Sequence, residues 1–240
     1  MKKLLFYDIE TSPLLSYVWE MYEANTLATE KERELMSFAY KWQGEKKVEV
    51  ESLRNNTEKD LVKKLYDLFN EADIICGHNS NGFDNKMANS FFIKQGLQPP
   101  SPYQTIDTLQ IARTKFRFAS NRLNDLGQYL DCGEKVATGG FGLWLKCLKG
   151  DDKAWKLLEQ YNKRDVELLE SVYLKLAPWA KNIPQIGFGM QCPGCGSFHV
   201  QARGWNINRV FMNRRFQCMD CGRWSSSSNK IKHNKEVYLK

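Results

Sequence analysis

The sequence predicts an α/β fold, a mixed five-stranded sheet flanked by helices, followed by a small β-rich module stapled by metal. Three observations lead there. Short apolar runs with strand character alternate with longer stretches of helical spacing through the first three quarters of the chain. Two Cys-x-x-Cys pairs, with 22 residues between Cys195 and Cys218, lie near its end. Charge is also unevenly divided: residues 1–190 balance at 26 basic against 26 acidic, while residues 191–240 hold nine Lys or Arg and two acids. That difference of +7 is the whole formal charge of the chain, 35 minus 28.

Residues 2–10 read as an interior strand, apolar on both faces until its end. Side chains alternate, so Leu4, Phe6, Asp8 and Glu10 share one face and Leu5, Tyr7 and Ile9 the other. Two carboxylates therefore point the same way at the carboxyl end of a strand, where open α/β sheets bind ligands. The plainer reading is a strand that ends in a polar turn, with either acid capping the next loop. Residues 34–44 and 47–53 read as two further strands around the turn at Gly44-Glu45. A helix over residues 58–70 and a short buried strand over 72–76 follow. Residues 77–82 form a turn rich in Gly, Asn and Ser, and Asp84 falls in the first turn of a helix that Gly96 ends. An acid there also simply complements the helix dipole. His78 reads as a hydrogen-bonding loop residue, and Asn79 as bonding the turn or contacting substrate.

The strongest helix spans residues 151–177, with Asp151 or Asp152 as N-cap and Pro178 beyond its end. Leu158, Tyr161, position 165, Leu168, Val172 and Leu176 have the spacing of one buried face. Position 165 is an aspartate, and burying a lone carboxylate costs several kcal/mol, so it needs a partner. Lys163 and Arg164 point off that face. A metal ion would serve, with the Tyr161 hydroxyl one turn away; a solvent-edge salt bridge is the alternative. The elements then run β-β-β-α-β-α-β-α.

In this order and spacing the segments resemble the DEDD superfamily of 3′→5′ exonucleases in its tyrosine form, whose domain is RNase H-like. Asp8-Ile9-Glu10-Thr11-Ser12-Pro13 matches the first motif, Asn79 through Phe83-Asp84 the second, and Tyr161-Asn162-Lys163-Arg164-Asp165 the third. Thr105-Ile106-Asp107-Thr108-Leu109 and Leu123-Asn124-Asp125-Leu126-Gly127 also look like segments of that group. The chain is similar to the exonuclease domain of family B DNA polymerases and to related stand-alone bacterial and phage exonucleases, over roughly residues 1–180. It departs from them in residues 12–34, a longer and more aromatic connection that includes Trp19 and Tyr22.

The resemblance implies that Asp8, Glu10, Asp84 and Asp165 organise two Mg²⁺ or Mn²⁺ ions. Asp8 would bridge both, Glu10 and Asp165 would complete the ion that activates water, and Asp84 would support the other. Tyr161 would orient the attacking water. The implied product is a nucleoside 5′-monophosphate released from a single-stranded DNA 3′ end in replication, repair or recombination, with a DNA polymerase or replisome component as partner. An all-carboxylate donor set independently suits hard cations. RNA exonuclease, structure-specific endonuclease and a catalytically idle accessory subunit are the other readings of the same scaffold.

Cys192, Cys195, Cys218 and Cys221 form two knuckles whose glycines permit tight turns, the pattern of one structural Zn²⁺. Two disulfides or a redox pair are the alternative, disfavoured by an odd cysteine count of seven and no secretory leader. Those features point to a cytoplasmic setting, and no apolar run is long enough for a membrane span. Basic residues Arg203, Arg209, Arg214, Arg215 and Arg223 interleave with Trp205, Phe211, Phe216 and Trp224. Cationic grooves with stacking rings bind single strands, and Trp205 beside Gly204 is the better stacking candidate. A basic, solvated ribbon whose rings only pack its core is the bland alternative. The expected domains are residues 1–180, a linker over 181–190, and the zinc ribbon over 191–240, whose tail after Ser225 is loose unless it pairs as a last strand.

Overall fold

The computed structural model describes residues 2–22, 25–180 and 183–232. The chain forms two compact units, residues 3–173 and residues 174–240 together with residues 1–2.

In the first unit, β1 (Leu4–Thr11) lies at the centre of a five-stranded mixed sheet. It takes that place because Leu4, Leu5, Phe6, Tyr7 and Ile9 are all buried, which only an interior strand covered on both faces allows. The order is β5 (Glu49–Ser52), β4 (Leu35–Trp42), β1, β6 (Ile74–Gly77), β7 (Gln104–Asp107). β4 runs antiparallel to β1 and β5, whereas β6 and β7 continue parallel to β1. α1 (Glu58–Glu71) and α2 (Asp84–Lys94) cover one face, packing Leu61, Leu65, Phe69 and Phe91 against Leu5, Tyr7 and Ile9. α6 (Asp152–Leu176) crosses the other face, where Tyr173 meets Phe6 edge-on at 5.3 Å and Glu159 accepts from the Ser52 hydroxyl at 2.6 Å. Asp151 caps α6, its carboxylate accepting from the amides of Lys153 and Ala154 at 2.9 and 3.1 Å. The alternation read along residues 2–10 therefore assigns Asp8 and Glu10 to the face under α6.

The structure adds elements that the sequence did not signal. Residues 12–34 contain an exposed hairpin of β2 (Leu15–Tyr17) and β3 (Ala28–Lys31). Between β7 and α6 stand α3 (Thr108–Lys115), α4 (Leu123–Tyr129) and α5 (Gly142–Leu148). α4 and α5 are seven residues each, two turns, too short for a hydrophobic period to emerge.

In the second unit, a 3₁₀ turn spans Ala177–Trp179. The segment read as linker is packed rather than free: Ile186 is fully buried and exchanges backbone hydrogen bonds with Pro193 and Lys2. Lys181 and Asn182 of that segment lie outside the described residues. The ribbon sheet has β9 (Phe211–Cys218) at its centre, paired with β8 (Val200–Ile207) on one edge and with β10 (Trp224–Ser226) and β11 (Ile231–Lys232) on the other. The tail thus does pair as a last strand, at Met212 and Phe211. Residues 233–240, with Lys235, Glu236 and Lys240, lie outside the described residues. Among the described residues, no helix is long and apolar enough to cross a membrane.

Candidate active site and metal centres

Asp8 and Glu10 from β1 and Asp165 from α6 converge, each offering a carboxylate oxygen within 4.8 Å of the others. Asp165 arrives there because it replaces an apolar residue on the buried stripe of α6, where Leu158, Leu168 and Val172 are fully buried and Asp165 itself is 1% exposed. Pairing of β1 with β4 shifts register between Glu10 and Thr11, a bulge that ends the ladder beside the site. Tyr161, one turn before Asp165, lines the same place.

Three neighbours that sequence reasoning missed fix this geometry. Asn162 is fully buried and donates its amide to Asp8 Oδ2 at 2.8 Å and to the Asp8 carbonyl at 3.2 Å. Its Oδ1 accepts from the Ser37 hydroxyl at 3.0 Å, which ties α6 to β4 across β1. A signal existed, since position 162 stands three residues before 165 and four after Leu158, on the same helical face. Trp144 on α5 donates its indole N–H to Glu10 Oε2 at 3.2 Å and meets the Tyr161 ring edge-on at 6.1 Å. Lys135, in the loop between α4 and α5, donates from Nζ to Asp165 Oδ2 at 2.6 Å and to the Tyr161 hydroxyl at 3.0 Å. The sequence offered a metal ion or a salt bridge to an unidentified cation as the partner of Asp165; the structure supplies a cation from a loop residue distant in the chain, although Asp165 is buried and not at a solvent edge. Neither Trp144 nor Lys135 stands in a pattern that marks it.

Burial and crowding dominate the electrostatics. The Asp8 carboxyl is held well above its ordinary range by burial, then by Asp165, Asp84 and Glu10. Glu10 is pushed up to about 8 by burial, with Asp165 adding to the rise. Asp165 is raised by burial although Lys135 opposes the rise. Burial would lower the Lys135 ammonium, but the Asp165 carboxylate more than offsets it, so Lys135 stays charged. Burial, then Asp165, raises the Tyr161 phenol, which is therefore neutral at physiological pH. Asp165 Oδ1 is buried with no hydrogen-bond partner. Crowded carboxylates that resist ionisation, one orphaned oxygen and an all-oxygen donor set fit a hard divalent cation.

Asp84, the first residue of α2, is 7% exposed and does not belong to the mutually close trio. It still raises the Asp8 carboxyl electrostatically, and burial pushes its own up to about 6, opposed by hydrogen bonds from its own backbone and that of Ile9. The loop before it is built on Asp107, whose carboxylate accepts from the amides of Asn79, Asn81 and Leu109. Asn79 sits at φ +64°, a left-handed conformation that asparagine tolerates, and its carbonyl accepts from Gly82 and Phe83. A Cβ at Gly82 would stand 2.7 Å from Asn79 Oδ1, so a larger residue there would displace the Asn79 side chain. His78 is a hydrogen-bonding loop residue, 2.9 Å from both the Thr108 hydroxyl and the Asn121 carbonyl, and burial lowers its pKa.

In the second unit all four Sγ atoms of Cys192, Cys195, Cys218 and Cys221 lie within 4.8 Å of one another. Cys192 and Cys221 are 3.6 Å apart, and Cys195 and Cys218 3.7 Å. Four thiolates tetrahedrally disposed about 2.3 Å from one zinc ion are about 3.8 Å apart. A disulfide would need about 2.05 Å, and all seven cysteines are free. Gly196 and Gly222 close the two knuckles in the same left-handed conformation, each at φ +78°. The donor set fits a closed tetrahedral metal site.

The basic residues of the ribbon are differently placed. The Arg214 guanidinium lies 4.9 Å over Trp205, its cross-strand partner, and Arg215 lies 4.9 Å over Trp224. Adjacent positions on β9 point to opposite faces, so the ribbon carries one arginine-covered tryptophan on each side. Arg203 and Arg209 are exposed. Arg223 is a correction: it is 5% exposed and packs against Gly194, where a Cβ would meet its Cδ at 2.6 Å. It is spent on knuckle packing and offers no surface for nucleic acid.

Comparison with known proteins agrees with this architecture. The family model described as the RNase_H superfamily matches residues 5–177. Protein NEN3 of Arabidopsis thaliana is 31% identical over 86 residues, 35% of this chain and 17% of that protein, so the chain spans only a small part of its relative's length. The family B DNA polymerase from the hyperthermophilic archaeon Pyrobaculum calidifontis is similar in structure, with a TM-score of 0.52 and 15% identity. That likeness of fold covers 75% of this chain and 26% of the polymerase. The sheet order, the acids at the carboxyl end of its central strand and the match over residues 5–177 agree: the chain belongs to the RNase_H superfamily and has an RNase H-like fold.

Proposed function

We propose that this protein is a metal-dependent 3′→5′ exonuclease that releases nucleoside 5′-monophosphates from single-stranded DNA in replication, repair or recombination. The observation that supports it most is the partly buried meeting of Asp8, Glu10 and Asp165 beside the Tyr161 hydroxyl. Asp8, Glu10 and Asp165 would hold one Mg²⁺ or Mn²⁺, and Asp8 with Asp84 a second. When bound, two such ions supply a clamp on the attacking and leaving oxygens of an in-line displacement at phosphorus. Asn162 fixes the Asp8 carboxylate, and Trp144 fixes that of Glu10, so neither reorganises as charge develops. Tyr161, with its phenol kept protonated, orients the attacking water by a hydrogen bond instead of removing its proton. Lys135 favours the ionised form of Asp165 against burial and aims the Tyr161 hydroxyl.

The four cysteines would hold one structural Zn²⁺, and the ribbon would add affinity for the strand through Arg203, Arg209, Arg214, Arg215 and Trp205, with Asn79 contacting the terminal nucleotide. A DNA polymerase or replisome component is the proposed protein partner, and the cytoplasm the proposed setting. The test is Mg²⁺-dependent release of mononucleotides from a labelled 3′ end by the wild type and by Asp165→Ala. Full activity in the variant would overturn the assignment. Circular single-stranded DNA should survive, and its cleavage would replace an exonuclease with an endonuclease.

A further inference from the structure

The nuclease unit carries a surface of cations and rings that no part of the catalytic geometry uses. Arg113 and Lys115 on the last turn of α3, and Arg117 and Arg122 in the loop that follows, are exposed. No acid occurs within residues 113–122, although the first 190 residues as a whole balance 26 against 26. Among the described residues none of the four cations makes an ion pair. The nearest acid in sequence, Asp125, is taken by the hydroxyl of Ser120.

A merely solvated basic loop would not order aromatic rings, yet this one does. Phe116 and Phe118 stack at 5.0 Å and 24°, and Tyr129, 73% exposed, meets Phe118 edge-on at 5.3 Å. The run Lys115-Phe116-Arg117-Phe118 alternates charge with ring. Chain before the segment, at Asp107, and its far end, at Asn121, are both bonded to the loop that precedes Asp84. α3 starts directly after Asp107, which holds the amides of Asn79 and Asn81. At the other end His78 bonds the carbonyl of Asn121, beside Arg122. Eight residues of α3 advance about 12 Å, so Lys115 stands about one helix length from the start of α3 beside that loop.

We propose that residues 113–122 with Tyr129 form the track that holds a single strand as it enters the active site. The cations sit on successive phosphates and the rings receive unpaired bases. This rests on the nuclease reading above and names where that site takes its substrate.

The experiment measures anisotropy of labelled oligothymidylate bound to the full chain across a salt series, without magnesium and without chelator. Single-strand binding loses about 0.7 in the slope of log K against log salt for each phosphate contact, so four contacts give 4 × 0.7, about 2.8. The variant Arg113→Gln/Lys115→Gln/Arg117→Gln/Arg122→Gln should lower the slope by up to about that amount and weaken binding at low salt about tenfold or more. Should it fail to melt cooperatively, Arg117→Gln alone must remove about 0.7. Unchanged slope and affinity, or equal wild-type affinity for blunt duplex and single strand, would overturn the proposal. Asp165→Asn separates the two readings. If nucleotide release persists in it while the track variant loses its slope, the catalytic assignment falls and the track stands. Release abolished in Asp165→Asn beside an unchanged track slope gives the reverse.

Discussion

Raising pH through neutrality should loosen the magnesium-free protein, and Glu10 is one of the residues that carry the effect. Its carboxyl ionises near 4.5 in the unfolded chain and near about 8 in the folded one. Below the lower value both states hold the proton and nothing is lost. Between the two, the unfolded chain gives up its proton while the folded protein keeps it, so stability falls as pH rises; above about 8 the full penalty stands. The span corresponds to roughly 5 kcal/mol, and partial exposure of the side chain reduces it to about 2–3 kcal/mol. In a unit of this size that lowers the melting temperature by about 5–10 °C. Asp84, raised to about 6, and Asp8 shift in the same sense. Magnesium should reverse the loss, since a ligand at a hundred times its dissociation constant adds about 2.7 kcal/mol. The assay is thermal melting from about pH 5 to about pH 8, with and without Mg²⁺, on wild type and Glu10→Gln, in chelator-free buffer so that the cysteine site keeps its metal. If both proteins show the same pH slope and magnesium changes neither, the reasoning about crowded carboxylates is wrong.

Three further outcomes follow from named contacts. Lys135→Met strips Asp165 of its cation and should cost roughly 1–3 kcal/mol in magnesium-free melting, with much of it recovered on adding Mg²⁺; equal cost in both buffers would mean the lysine acts only by packing. Asn162→Ala leaves the Asp8 carboxylate and the Ser37 hydroxyl without their buried partner, for about 1–3 kcal/mol, and should lower kcat more than it raises KM in nucleotide-release kinetics. Cys218→Ser should drop the zinc content of the purified chain and make strand binding weaker and less salt-dependent, while the pH-dependent melting of the nuclease unit persists; retained stoichiometric zinc would refute four-thiolate coordination.

How much was legible depended on whether the signal is local. Alternation along residues 4–10 needs only the geometry of one strand, so the orientation of Asp8 and Glu10 follows from the letters. The stripe through Leu158, Asp165 and Val172 needs only a helix, and the paired knuckles need only their spacing and their glycines. Asn162 lay within the same periodic logic and was overlooked because its neighbours are polar. Lys135, Trp144 and Arg223 were beyond reach. Lys135 belongs to an irregular loop, Trp144 to a helix of seven residues, and burial of Arg223 is decided by which backbone it lies against.

The sequence by itself determined the acid-bearing strand, the long helix, the order of acids and the paired spacing of the cysteines, because each is a short-range pattern imposed by backbone geometry. Only the tertiary structure decided which carboxylates lie within reach of one another, which cation pairs with Asp165, and which arginines reach solvent. Those outcomes depend on segments far apart in the chain being brought into contact, and the energy of a charge in a protein is set by its surroundings in space rather than by its neighbours in sequence.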